Sequence, residues 1–162
     1  MTLETLGWSD YFSQIFSSEY ADKGLMAARV SRNSKQIYHV LCEEGSFVAR
    51  VSGNFRHRAR LSSDYPVVGD WVAIRLKPGG LEAEIRELLP RQTVFSRQAV
   101  SASGTESKSS EQVIAANVDM AFLVASLDGG RGFSLRRLER YLTLTRNSGA
   151  QPVVVLNKAD LS

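Results

Sequence analysis

The sharpest chemical signal in the sequence is Asn157-Lys158-Ala159-Asp160, directly after the apolar run Val153-Val154-Val155-Leu156. This N-K-x-D spacing suits recognition of a guanine base. A fixed carboxylate at Asp160 accepts two hydrogen bonds, one from N1–H and one from the exocyclic amine. Adenine presents a lone pair at the first position and nothing at the second. Facing adenine, the carboxylate would stay unpaired, at a cost of about 1–3 kcal/mol. The Asn157 amide ties the loop to the base, and the Lys158 stem lies along the purine face. Taken alone, three fixed residues also spell a polar turn in which Asp160 caps a following helix, so placement has to decide.

A nucleotide site also needs a phosphate cradle, G-x-x-x-x-G-K-[ST]. The sequence has none; the nearest stretch, Ala102–Ser109, keeps Lys108-Ser109 but has Ala102 and Ser107 where the glycines belong. Either the motif does not read a nucleotide, or the domain is circularly permuted and the cradle lies beyond Ser162.

A second cluster, Arg50, Arg56, His57, Arg58 and Arg60, suits RNA, because guanidinium groups pair with phosphates and stack on exposed bases. Tyr38, Phe47 and Phe55 lie close by and offer stacking faces, although barrel core is the preferred reading for Tyr38 and Phe47. Charge distribution suits a polyanion partner and equally a solvated basic face. Residues 1–22 carry four acids and no Lys or Arg, residues 23–100 carry 13 basic and 7 acidic side chains, and residues 101–162 carry 7 and 6. Other chemistries lack residues. Cys42 is the single cysteine and there are two histidines, His39 and His57, too few for a disulfide scaffold, a metal site or a catalytic triad. The longest apolar stretches are far too short to span a bilayer, and the N-terminus has no secretion pattern. A soluble, cytoplasmic protein is expected, with no membrane partner.

The elements that must position these groups follow from periodicity. Leu6, Tyr11, Phe12, Ile15 and Phe16 recur at helical spacing and Gly24 is a stop, giving a partly helical N-terminal extension over 1–23. Over 24–92 the period becomes two. Met26–Val30, Gln36–Cys42, Phe47–Val51, Trp71–Leu76 and Leu81–Arg86 read as five short strands, which describes an all-β OB-fold barrel, with an SH3-like barrel as the alternative from pattern. Asp70 and Trp71 are assigned to barrel closure, and the Arg-rich stretch Ser52–Asp64 has no regular period. Residues 93–112 read as a linker. Beyond them, Val118–Leu127 and Val153–Leu156 suit strands buried on both faces, separated by a helix that Ser134 caps and that ends near Asn147 and Gly149. This βαβ unit opens an α/β domain over 113–162. Two strands and one helix do not complete a doubly wound sheet, so the chain reads as a fragment. Ligands of such sheets sit beyond the carboxyl ends of the strands, where Asn157–Asp160 lies.

Several longer motifs stand in a recognisable order: Gly69-Asp70-Trp71-Val72, Leu89-Pro90-Arg91, Gln112–Asp119, Leu135–Leu142 and Val155–Leu161. Together they resemble the ribosome small-subunit-dependent GTPase A family, from about Leu6 to the last residue. The resemblance implies an N-terminal OB-fold and a circularly permuted GTPase domain in which N-K-x-D precedes the phosphate loop. It also implies a later zinc domain, GTP and Mg as cofactors of the whole protein, and zinc only outside these residues. The implied role is late maturation of the 30S subunit in a bacterial cytoplasm, as a monomer when intact, with ribosomal RNA as partner. Without a phosphate loop, these 162 residues are expected not to hydrolyse GTP. The competing expectation is an OB-fold RNA-binding module without nucleotide function.

Overall fold

The computed structural model describes residues 1–98, 111–127 and 133–161. The expected linker from Val100 to Gln112 and the loop at Asp128–Gly132 fall mostly outside these residues.

Five strands, β1 (Met26–Ser34), β2 (Ile37–Cys42), β3 (Gly45–Val51), β4 (Trp71–Leu76) and β5 (Glu82–Leu88), close a barrel in the order β1-β2-β3-β5-β4. β3 runs parallel to β5 and every other pair is antiparallel. This is OB topology, so the SH3-like alternative is set aside. Alternate side chains fill the interior: Ala28, Val30, Tyr38, Val40, Cys42, Val72, Ile74 and Ile85 are all buried. Burial pushes the Cys42 thiol above its ordinary range, consistent with a core residue and not a nucleophile.

The other face of β4 makes a second core. Trp71 and Ala73 point out of the barrel and pack with Phe12 and Tyr20 of α1 (Asp10–Glu19) and its flank, together with Leu89. Trp8 stands edge-on to Trp71, ring centroids 4.6 Å apart. Trp71 takes part in the β1–β4 ladder that closes the barrel, opposite Arg29, and its side chain also fastens the N-terminal extension to the barrel wall, because the period of two turns it outward while Val72 and Ile74 turn in.

Four further expectations change. Ser52–Asp64 contains a short helix, α2 (Gly53–Arg58), held by Ser52 Oγ, which accepts from the Phe55 amide at 3.0 Å, and by the buried Phe55 ring. The expected linker includes strand β6 (Val94–Gln98), antiparallel to β7 (Glu111–Ala116). Strands β8 (Met120–Ser126) and β9 (Gln151–Asn157) are parallel around α3 (Leu135–Ser148), as a βαβ unit requires, but they are not buried on both faces: Phe122 is 64% and Val124 65% exposed. Ser134 precedes α3 without a capping side-chain hydrogen bond, whereas Gly149 ends the helix at φ +90°, as expected. Among the described residues no helix is long and apolar enough to cross a membrane.

Candidate functional site

The guanine-type motif lies at the carboxyl end of β9, where the fold class places its ligands. β9 ends at Asn157, whose carbonyl accepts from the Leu127 amide at 2.9 Å, so the ends of β8 and β9 are held together. The Asn157 Oδ1 accepts from the Lys158 amide at 2.9 Å, which leaves Nδ2 as the donor end of the amide. Lys158 takes φ +57°, and this left-handed step turns the chain into the 3-10 turn Ala159–Leu161 that carries Asp160. Asp160 is exposed and makes no hydrogen bond or ion pair with another described residue. Its acceptor oxygens face water, available to a base edge that displaces it.

The basic cluster lies on the barrel. Arg56, His57 and Arg58 ride on α2, Arg60 follows, and Arg50 is on β3; all five are exposed. Asp64 shapes the loop, because its Oδ2 accepts from the amides of Arg60 at 2.8 Å and Leu61 at 2.9 Å. Those bonds hold the Asp64 carboxyl below its ordinary range. Arg58 is engaged with Glu87 at 2.7 Å, whereas Arg50 faces Glu84 across the β3–β5 register. The three aromatics are not available for stacking: Tyr38 and Phe55 are buried and Phe47 packs against the same core. Sequence reasoning missed two cations at this end of the barrel. Tyr38 pairs with Ala49 near the end of β3, so the β1–β2 turn is at the same end of the barrel as α2. Arg32 near the end of β1 and Lys35 in that turn are exposed, Lys35 at φ +49° followed by Gln36 at φ +63°. The signal was a two-residue hairpin whose turn residues are not the usual Asn-Gly.

Between the two clusters lies a joint built from the longer motifs. The Asp70 carboxylate, fully buried, receives Nε and Nη2 of Arg91 at 2.8 Å each and the Val67 amide at 2.8 Å. Burial raises the Asp70 carboxyl, and the guanidinium draws it back. Arg91 also donates to the carbonyls of Ser63 and Tyr65, at 2.9 and 3.0 Å. Arg29 reaches three segments at once, donating to the carbonyls of Leu6, Gly69 and Asn117. Asn117, buried at φ +54°, accepts the Gln92 amide on Oδ1 at 2.8 Å and donates Nδ2 to Gly69 O at 3.2 Å. From there Thr93 Oγ1 bonds both backbone groups of Val118, and Gln151 at the start of β9 donates to Asp119 O at 2.8 Å. One hydrogen-bonded path thus runs from the barrel to the strand that ends in Asn157.

Residues 88–162 match the sequence model of the RsgA GTPase family. Across 99% of its length the chain is 43% identical to the small ribosomal subunit biogenesis GTPase RsgA of Opitutus terrae, of which it covers 44%. Over nearly its whole length the chain is similar to RsgA GTPases. A second RsgA relative, from Syntrophotalea carbinolica, is 40% identical over 99% of the chain and 43% of that protein. The chain therefore spans less than half the length of these RsgA relatives. Its fold is similar to part of YloQ, a circularly permuted GTPase, with TM-score 0.61 and 24% identity over 89% of this chain and 44% of that one. YjeQ from Thermotoga maritima gives TM-score 0.64 and 21% identity over 85% and 43%. The RsgA match begins at Leu88, so it takes in Arg91, β6 and β7 as well as the βαβ unit.

Proposed function

We propose that this chain carries the RNA-contacting barrel and the guanine-recognition loop of a cytoplasmic GTPase acting in biogenesis of the small ribosomal subunit. The observation that carries the reading is the position of Asn157-Lys158-Ala159-Asp160 at the carboxyl end of β9 in a parallel βαβ unit, in a chain whose barrel exposes Arg50, Arg56, His57, Arg58 and Arg60. Asp160 reads the guanine edge, Asn157 ties base to loop, and the Lys158 stem covers the purine face. The domain boundaries near 23, 92 and 112 go with this reading, although β6 places part of 93–112 within folded structure.

The donor set fits half of a GTP. Asn157 and Asp160 are right for the base, while the sequence holds no G-x-x-x-x-G-K-[ST] for the phosphates. Among the described residues no group of three or more His, Cys, Asp or Glu is placed to hold Mg or zinc. When bound, GTP and Mg supply a phosphoryl group and the charge neutralisation for its transfer; no step of that chemistry is assigned to these residues, and the chain as it stands is expected to show no GTP turnover.

The test uses two titrations. Guanosine should shift the backbone amide signals of residues 157–160 in an NMR titration and adenosine should not, with Asp160→Asn abolishing the preference. Binding to purified small subunits should weaken steeply with salt, and Arg56→Ala or Arg60→Ala should each lower the slope of log K against log [salt] by about 0.7–0.9. Equal response to both nucleosides, with salt-dependent subunit binding intact, would leave an RNA-binding barrel without nucleotide function.

A further inference from the structure

We infer that the groove between the N-terminal segment and the barrel is a docking site for a lysine or arginine side chain presented by a basic protein segment. The groove has a volume of about 340 Å³, near the lower end of the ~300–1,000 Å³ range of small-ligand sites. Trp8 and Phe16 wall it, ring centroids 5.9 Å apart with planes at 74°. Leu25 and Met26 add aliphatic surface and Glu43 stands at the rim.

The site is already set. Trp8 Nε1 donates to Ser13 Oγ at 2.7 Å and its ring is braced on Trp71, so the indole cannot swing away. A long side chain would lay its methylenes on Leu25 and Met26, bring its cation over an aromatic face and pair with the Glu43 carboxylate.

Charge selects this occupant. Residues 1–22 hold four acids and no Lys or Arg, and Glu43-Glu44 form the β2–β3 turn. Glu43 is exposed and makes no ion pair with a described residue. Neighbouring cations are engaged on the chain itself: Arg29 on three carbonyls, Lys23 over the Tyr20 ring and Arg75 on the Lys23 carbonyl. Register places the β2–β3 turn at the opposite end of the barrel from α2 and the β1–β2 turn. Glu43 lines the groove at this end while the arginines of the RNA-contacting cluster lie at the other, so an RNA ligand and a basic protein segment can be held at once without competing.

The proposal stands apart from the guanine reading, and its test does not touch residues 157–160. The isotope-labelled chain is titrated with a blocked tri-lysine peptide, a blocked tri-glutamate peptide and a short RNA, following the indole N–H signals of Trp8 and Trp71. The expected result is a saturable shift at Trp8 with tri-lysine alone, while buried Trp71 reports an intact fold. Glu43→Gln and Phe16→Leu should each raise the dissociation constant at least about threefold. The proposal is overturned by a Trp8 shift with RNA or tri-glutamate. It is equally overturned by tri-lysine binding that Glu43→Gln leaves unchanged, by no shift at all, or by a Trp8 shift that depends only on protein concentration and so marks a second copy of the chain as the occupant.

Discussion

Tyr38 shows how one atom separates packing from polarity. Its ring is wholly buried, while its Oη has no hydrogen-bond partner in the described structure. Burial pushes its pKa up to about 12, as it does that of Tyr20. A group whose folded pKa is raised binds its proton more tightly when folded, so the stability it contributes is complete below the unfolded value of about 10 and is lost as pH climbs from there toward 12. Tyr38→Phe should therefore be neutral or stabilising by up to about 1 kcal/mol at neutral pH, and should flatten the alkaline loss, read as urea midpoints between pH 8 and 12. The buried ion pair behaves in the opposite sense. Removing one partner leaves a charge without compensation, so Arg91→Ala should cost about 3–5 kcal/mol. A double variant, Asp70→Asn with Arg91→Met, should recover most of that in the same denaturation assay; no recovery would show that Arg91 acts mainly through the carbonyls of Ser63 and Tyr65.

At the scale of elements, the joint between barrel and β6–β7 hairpin depends on close approach of two backbones. Gly69 has φ +91°, and a Cβ there would lie 2.0 Å from the Ala116 carbonyl oxygen. Gly79 also has a positive φ, +97°, but a Cβ there meets nothing within 4 Å. Gly69→Ala should therefore destabilise by several kcal/mol and expose β7 amides to hydrogen exchange, whereas Gly79→Ala should cost only about 1 kcal/mol of local strain. Comparable losses would mean that the approach of Ala116 relaxes freely. The same elements show why parts of the fold were not legible. Barrel strands announce themselves because each alternates on its own. β6 pairs with a strand beyond a long polar stretch, and Val94-Phe95-Ser96-Arg97-Gln98 is too short to show a period. Helix α2 has six residues and is fixed by a cap and one buried ring, neither of which repeats.

Across the whole molecule, the β8–β9 sheet is half dressed. α3 packs on it, yet Phe122 and Val124, in register with Val153 and Val155, leave an open apolar face. At high concentration this chain should associate through that face, and Phe122→Ser with Val124→Thr should restore a single slow-exchanging species in sedimentation velocity. Unchanged association in the double variant would move the contact to another surface.

The sequence alone determined the strand count of the barrel, the βαβ unit and the placement of Asn157-Lys158-Ala159-Asp160 at a strand's carboxyl end. Each of these is a local pattern of period or spacing, written in neighbouring residues. Tertiary structure decided what distant residues do together. It packed Trp71 against α1, buried Phe55 away from any RNA base, and set the Lys35 turn at the same end of the barrel as α2. It also joined Arg29, Gly69, Asp70, Arg91 and Asn117 into one hydrogen-bonded joint. Those outcomes rest on burial and on hydrogen bonds between segments tens of residues apart, and no short-range pattern encodes them.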